Sequence, residues 1–382
     1  MKKIALITDG IWPYVLGGMQ KHSYYLCKYF AQNKIEVDLF HFNQSTLNIN
    51  ELNIFSDEER KYIHSIVLKF PDENKGFGHY IKNSRKYSEL IYEIIKPKLN
   101  AYDFIYTKGF SGWKLIEEKQ KGHIKCCKIG VKFHGYEMFQ KAPDFKIYLQ
   151  QLLLLRKPVK NITLGADVVF SYGGKITDIV RKMGVPSERI IELPSGVEAN
   201  TLVEFVKPSG NSIEFVFLGR YERRKGVEEL NEALKSMDKT SKFKFHFIGP
   251  IPEDKKINDL RVIYHGEIRE KEKLNNLLRS CDVLICPSYS EGLPNVILEA
   301  MCNGLCVMAT NVGATNILVS EKIGWLLNEG KAEQIRKCMI EVMGTDLKVL
   351  DDKKNNALNL LREKLTWEKL IPQLIEKIRR TN

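Results

Sequence analysis

Glu291 and Glu299 flank Gly292-Leu293-Pro294-Asn295-Val296-Ile297-Leu298, so two carboxylates stand with seven residues between them. Pro294 suits the first turn of a helix, where a missing N–H costs nothing, and Val296, Ile297 and Leu298 supply a face to bury. Asn295 and Glu299, four apart, then share a helix face, while Glu291 stands in the loop before the positive end of the helix dipole. Backbone N–H groups at a helix start bind anions, and a carboxylate on each side can grip the hydroxyls of a polyol. The chemistry within reach is the holding of a phosphate and a sugar side by side. By itself the segment also fits an amphipathic helix with two solvated glutamates.

A second basic loop narrows that choice. Ile213–Leu218 reads as a buried strand, followed by Gly219-Arg220-Tyr221-Glu222-Arg223-Arg224-Lys225-Gly226 and a helical pattern from Val227 to Met237. Arg220 and Lys225 would then leave a loop at the carboxyl end of a strand, where open α/β sheets bind ligands. Two cations suit a diphosphate, and a departing diphosphate gains charge in the transition state, so fixed cations there lower the barrier. At the amino end, Lys3–Thr8 reads as a strand, and Gly17-Gly18-Met19-Gln20-Lys21-His22 opens a helix running to about Phe30. Its glycines let backbone approach a ligand. No GxGxxG fingerprint occurs, which removes the main support for a dinucleotide-dependent dehydrogenase.

Together the Glu-x7-Glu segment, the Gly-Arg-x4-Lys-Gly loop and the Gly-Gly loop resemble the signature of retaining glycosyltransferases of the GT-B fold, family 4 (glycosyl transferases group 1). The resemblance covers nearly the whole chain in order and is more specific in the second half. It implies an α/β fold of two Rossmann-like domains facing a cleft. Arg220 and Lys225 would clamp the diphosphate, Glu291 would orient the sugar hydroxyls, and Glu299 would bind the ribose. The backbone of Gly292, Leu293, Pro294, Asn295 and Val296 would hold sugar and phosphate, with Gly18 and Gly219 nearby. In Val131-Lys132-Phe133-His134-Gly135-Tyr136, His134 falls at a strand end where the family carries a histidine beside the donor sugar; a structural histidine is the alternative. Tyr264-His265-Gly266-Glu267-Ile268 matches the stretch whose backbone reads the nucleobase, which brings in Ile268 and leaves the base unspecified. Lys21, His22 and Glu137 are candidates for the acceptor side.

The implied reaction transfers a hexose-type sugar with retention, without a metal and with no cofactor beyond the nucleotide-sugar donor, a UDP-sugar by default. The expected mechanism is front-face displacement, because a covalent intermediate needs a well-placed nucleophilic carboxylate and Glu291 is the one candidate in these motifs. The acceptor is expected to be a hydroxyl of a lipid-linked or surface polysaccharide. A small-molecule glycosyltransferase, a GT-B-like sugar-nucleotide epimerase and a nucleotide-sugar binding protein are the alternatives.

With 382 residues, 43% of them hydrophobic and 28% charged, the chain exceeds one core and has ordinary globular composition. The apolar run after Met1-Lys2-Lys3 is too short for a signal peptide, and no stretch nears a membrane span. A cytoplasmic protein is expected, with room for peripheral contact at the inner face of the cell membrane. Its eight cysteines show no metal spacing and read as reduced, mostly buried thiols. Residues 1–200 carry 30 Lys/Arg against 21 Asp/Glu, or +9 of the net +12. That excess suggests an anionic acceptor or an anionic membrane. No aromatic-interleaved basic stripe supports nucleic acid as a partner. Phe145–Lys157 is an apolar helical run closed by cations and Pro158, for which core packing is preferred and a bilayer interface is the alternative. Tyr80–Lys96 invites the same two readings.

Strands alternate with helices throughout, implying parallel sheets covered on both faces. The expected division is an acceptor domain over 1–200, a donor domain over 201–365 and a final helix within 366–382 that crosses back to the first domain. The boundary follows Leu193-Pro194-Ser195-Gly196-Val197-Glu198, similar to the family's Pro-Asn-Gly-Val-Asp stretch, with Ser195 and Glu198 as mild departures.

Overall fold

A computed structural model describes residues 1–15, 17–42, 54–72, 76 and 78–381. Seven parallel strands form the first sheet: β1 (Lys3–Ile7), β2 (Glu36–His41), β3 (Ile63–Val67), β4 (Phe104–Lys108), β5 (Lys128–Lys132), β6 (Val168–Ser171) and β7 (Ile190–Glu192), in the order β3-β2-β1-β4-β5-β6-β7. Six form the second: β8 (Ile213–Leu218), β9 (Phe243–Ile248), β10 (Val262–Tyr264), β11 (Val283–Cys286), β12 (Cys306–Thr310) and β13 (Gly324–Leu327), in the order β10-β9-β8-β11-β12-β13. Two doubly wound α/β domains result, as the alternation predicts. Central strands such as β4, β11 and β12 are buried at every residue, which is why they read as continuous apolar runs. β3 escapes the sequence reading because it is an edge strand with polar His64 and Ser65 among its five residues, half exposed.

Strand order reverses between β1 and β4 in the first sheet and between β8 and β11 in the second. Crevices for ligands open at the carboxyl ends of strands at such switch points. The Gly17–His22 turn follows β1, the Gly219–Gly226 loop follows β8, and the Glu291 segment follows β11. Topology therefore turns every motif of the sequence toward one seam.

Val197 pairs with Thr366, so the outgoing and returning chain lie side by side. The Trp367–Thr381 helix then packs on the first domain, with Trp367, Ile371, Leu374 and Ile378 buried in its core. Pro372 lies inside this helix.

Phe145–Leu155 departs from the preferred reading. Phe145–Gln150 and the wider turn Gln151–Leu155 bury no residue, and Phe145 and Leu153 are 76% and 63% exposed. Its leucines are not a core stripe. The following Arg156–Gly165 helix does bury Val159, Ile162 and Thr163, so packing resumes only after the cations. The His79–Ile95 helix is amphipathic in the ordinary sense, with Tyr87, Ile91, Tyr92 and Ile95 in the core. Among the described residues no helix is long and apolar enough to cross a membrane, and all eight cysteines are free, six of them buried.

Candidate functional site

Gly226 sets the basic loop. Its φ is +70°, and a Cβ there would lie 2.2 Å from the Pro287 carbonyl, so only glycine lets the Arg223–Lys225 turn dock beside β11. Docked this way, Lys225 Nζ donates to Glu291 Oε1 at 2.6 Å, Ser288 Oγ donates to the same oxygen at 2.9 Å, and Arg224 approaches it at 3.4 Å. The Lys225 and Glu291 side chains are 15% and 10% exposed. Two of the expected site residues thus meet in a water-poor setting where charge acts strongly. Arg220 does not join them. Its side chain is 73% exposed and pairs with Glu222 at 2.8 Å, while Arg224 occupies the place beside Glu291. Arg224 was visible in the basic run, but nothing in the spacing distinguishes it from Arg223, which pairs with Glu229 instead.

The Glu291 loop meets the first domain directly. A Cβ on Gly292 would fall 1.8 Å from the His134 carbonyl oxygen, so a side chain is incompatible with this approach. Gln140 closes the contact from the other side. Its Nε2 donates to the carbonyls of Gly135 and Glu291, each at 2.6 Å, and its Oε1 accepts from the Glu291 N–H at 3.4 Å. Gln140 carries no sequence signal, because its role arises only from the meeting of two distant loops. The N–H groups of Gly292 and Leu293 have no partner among the described residues, and those of Asn295 and Val296 open the Asn295–Cys302 helix, where N–H groups lack intrahelical acceptors. Pro294 immediately precedes that helix, in keeping with the sequence expectation.

His134 sits where three elements converge. A Cβ on Gly18 would lie 2.8 Å from His134 Nε2 and 3.0 Å from Asn295 Nδ2. Tyr172 Oη and His134 Nδ1 share a hydrogen bond of 2.7 Å, which either group can donate according to the imidazole tautomer. Burial, with Lys108, Lys132 and Arg224 nearby, lowers the His134 pKa to about 3. His134 is therefore a neutral imidazole with Nε2 toward Gly18 and the seam, rather than a group that titrates near neutrality. Lys108 and Lys132 are themselves almost fully buried; Lys108 donates to the Met19 carbonyl and His22 Nδ1, and Lys132 to the Leu193 carbonyl, with desolvation holding both well below the usual lysine range.

Lys21, His22, Asn295 and Glu299 also gather at the seam. Lys21 Nζ reaches across it to Glu299 Oε1 at 2.9 Å. His22 is 2% exposed, and its Nε2 has no partner among the described residues. Both line a chamber of about 90 Å³ between the domains, shared with Gly18, Asn295 and Glu299. Asn295 and Glu299 thus share a face, as their spacing predicts. Glu137 is half-buried near Glu291, and desolvation and then that negative charge raise its pKa, against the pull of Arg224 and Lys225. Ile268 is half-buried against the core just before the Lys271–Ser280 helix, and Gly219 sits at the end of β8 against Gly249. The arrangement offers fixed cations, unpaired backbone N–H groups, a carboxylate and a neutral imidazole on one cleft. That set can stabilise a departing phosphate while orienting a polyhydroxylated ring.

Residues 212–345 match the family model described as "Glycosyl transferases group 1". A protein of the Klebsiella pneumoniae cps region, of 41.2 kDa and uncharacterized, is 33% identical over 69% of this chain and 76% of its own. The second half carries a glycosyl transferases group 1 domain. Two glycosyltransferase relatives match over about half their length. The putative teichuronic acid biosynthesis glycosyltransferase TuaC of Bacillus subtilis is 26% identical over 53% of this chain and 54% of its own. The UDP-Gal:α-D-GlcNAc-diphosphoundecaprenol α-1,3-galactosyltransferase of Escherichia coli is 24% identical over 47% of this chain and 51% of its own. Sucrose-phosphate synthase of Thermosynechococcus elongatus superposes with a TM-score of 0.79 at 18% identity, covering 100% of this chain and 99% of its own, so this chain has the two-domain GT-B fold.

Proposed function

We propose that the protein is a retaining glycosyltransferase of family 4 that moves a hexose-type sugar from UDP to a hydroxyl of a lipid-linked or surface-polysaccharide acceptor. The observation that carries this reading is the convergence of Lys225, Arg224 and Glu291 near unpaired N–H groups at a helix start, faced by the neutral imidazole of His134. In this account the bond from the sugar's anomeric carbon to the diphosphate oxygen breaks and a bond from that carbon to the acceptor oxygen forms on the same face. The acceptor proton passes to the departing diphosphate. Lys225 and Arg224 carry the charge stabilisation that a metal would otherwise supply, and Glu291 and His134 orient the sugar. UDP and a diphospholipid-linked acceptor are favoured because the Escherichia coli relative uses both.

Isothermal calorimetry with UDP, GDP, ADP and NAD tests the donor class. UDP is expected to bind, and binding of NAD alone would sink the reading. Transfer from a radiolabelled UDP-sugar panel into a lipid extract then tests the reaction, with retention read from the anomeric coupling of the product.

A peripheral membrane contact is part of the proposal. Phe145, Tyr148, Leu149, Leu152 and Leu153 are all at least 38% exposed, on a stretch flanked by Lys146, Lys157 and Lys160, which pair with no described carboxylate. Apolar side chains with a cationic border fit an anionic lipid surface. Sedimentation with phosphatidylglycerol vesicles is expected to remove the protein from solution, and phosphatidylcholine vesicles or the Phe145→Glu/Leu153→Glu variant are expected to leave it there. Equal behaviour with both lipids, or a variant that sediments like the parent, would discard this contact.

A further inference from the structure

Tyr172 is wholly buried just past the end of β6, yet its hydroxyl lies 2.7 Å from His134 Nδ1. The two rings meet edge to face, with centres 5.3 Å apart. Lys132 covers the phenol: its Nζ stands 3.8 Å from the centre of the Tyr172 ring and donates to the Leu193 carbonyl at 2.7 Å. A lysine this deep, with no carboxylate bonded to it among the described residues, is costly to bury. An apolar residue of similar length would fill the space at lower cost, so packing alone does not account for Lys132 or for the phenol beneath it.

The count of hydrogens gives the bond between Tyr172 and His134 a direction. Burial holds the phenol well above its ordinary range, so the hydroxyl keeps its hydrogen, and a buried hydrogen of this kind needs an acceptor. Besides His134, the side chain within hydrogen-bonding reach of the phenol is Ser195, itself 3% exposed. Were the imidazole hydrogen on Nδ1, it would go to the phenol oxygen and the phenol hydrogen to Ser195, whose own hydrogen has no acceptor but Tyr172 among the described residues. In the opposite sense Ser195 donates to Tyr172, Tyr172 donates to Nδ1, and every hydrogen of the buried chain is matched. The imidazole hydrogen then stands on Nε2, the nitrogen that faces Gly18 and the seam.

We propose that Tyr172 is the positioning residue of His134: with Ser195 behind it, its hydroxyl donates to Nδ1, sets the ring plane and fixes the one tautomer whose Nε2 hydrogen is directed into the cleft. This rests on the glycosyltransferase reading for what that hydrogen meets, an oxygen of the transferred sugar. The mounting suits the task. Leu193, which holds Lys132, and Ser195 both belong to the run that leads into the pairing of Val197 with Thr366, so the imidazole is braced from the crossing between the domains.

Long-range proton–nitrogen NMR spectra of the full chain carrying nitrogen-labelled histidine test this, with the His134 resonances identified by their loss in His134→Gln. Near neutral pH the parent is expected to show a single neutral tautomer with its hydrogen on Nε2, and Tyr172→Phe a mixture of both tautomers. UDP release from UDP-galactose is expected to slow about tenfold in Tyr172→Phe, the worth of one hydrogen bond, with UDP affinity by calorimetry unchanged. A parent hydrogen on Nδ1, a Tyr172→Phe spectrum like the parent's, or undiminished UDP release once the tautomer is lost would overturn the assignment. Should Tyr172→Phe fail to fold, fluorotyrosine in place of tyrosine strengthens the phenol as a donor without removing it; the His134 Nδ1 resonance is then expected to move, and a resonance that stays in place would overturn the assignment equally. A fixed Nε2 tautomer in a chain that binds no UDP would leave Tyr172 in its role and remove the donor reading instead, so the two failures are distinguishable.

Discussion

Lys225→Ala is expected to lower kcat by about 10²-fold or more, the size of effect that follows loss of one preorganised transition-state charge donor. The expectation has a competing structural cause. Lys225 and Glu291 form a nearly buried ion pair, and removing one partner strands the other charge, which can cost about 3–5 kcal/mol of stability. Arg224 at 3.4 Å and Ser288 at 2.9 Å stay with Glu291, so the loss should fall below that range. Thermal unfolding separates the causes. A variant that melts near the parent yet turns over 10²-fold more slowly assigns Lys225 to the diphosphate. One whose kcat is unchanged removes it from the reaction. Arg220→Ala is the internal comparison, since Arg220 faces solvent and pairs only with Glu222 among the described residues.

Gly292→Ala is expected to be comparably damaging with no change of charge. The added methyl would sit 1.8 Å from a backbone oxygen, and backbone cannot rotate away as a side chain can. The His134–Gly135 loop and the Glu291 loop must then part, and the two bonds between Gln140 and the Glu291 backbone lengthen or break. Misplacing reacting groups by about 1 Å costs on the order of 10²-fold in rate. Steady-state kinetics should therefore show a fall in kcat of that order, with small-angle scattering reporting a more open molecule. Normal kcat with unchanged scattering would mean that this contact is incidental to turnover.

Much of this was legible before any coordinates. Strands buried on both faces announce themselves as apolar runs, and twelve of the strands fall where those runs do; β3 does not, because an edge strand has no need of them. The Asn295/Glu299 face and the Lys225–Glu291 meeting follow from helix spacing and strand order. What spacing could not express is which member of a basic run turns inward: Arg224 rather than Arg220 does so because Gly226 docks the turn against Pro287. Gln140 was invisible for a related reason. It matters through Glu291, 151 residues away, and a single residue in an irregular loop carries no periodicity. The Phe145–Leu155 run misled because helical leucines look the same whether they face protein or something else.

The chain crosses between the domains twice, and the crossings are neighbours. Val197 N–H bonds the Leu365 carbonyl, and Trp367 N–H bonds the Val197 carbonyl, each at 2.9 Å. In topological terms the second domain is an insertion between two halves of the first, its entry and exit sharing one narrow stalk. Relative motion of the halves must be concentrated there. A single pair of cuts at that stalk would release the donor half as one continuous segment, and a short splice would rejoin the acceptor half around Trp367, so this architecture lends itself to exchanging donor modules between related chains.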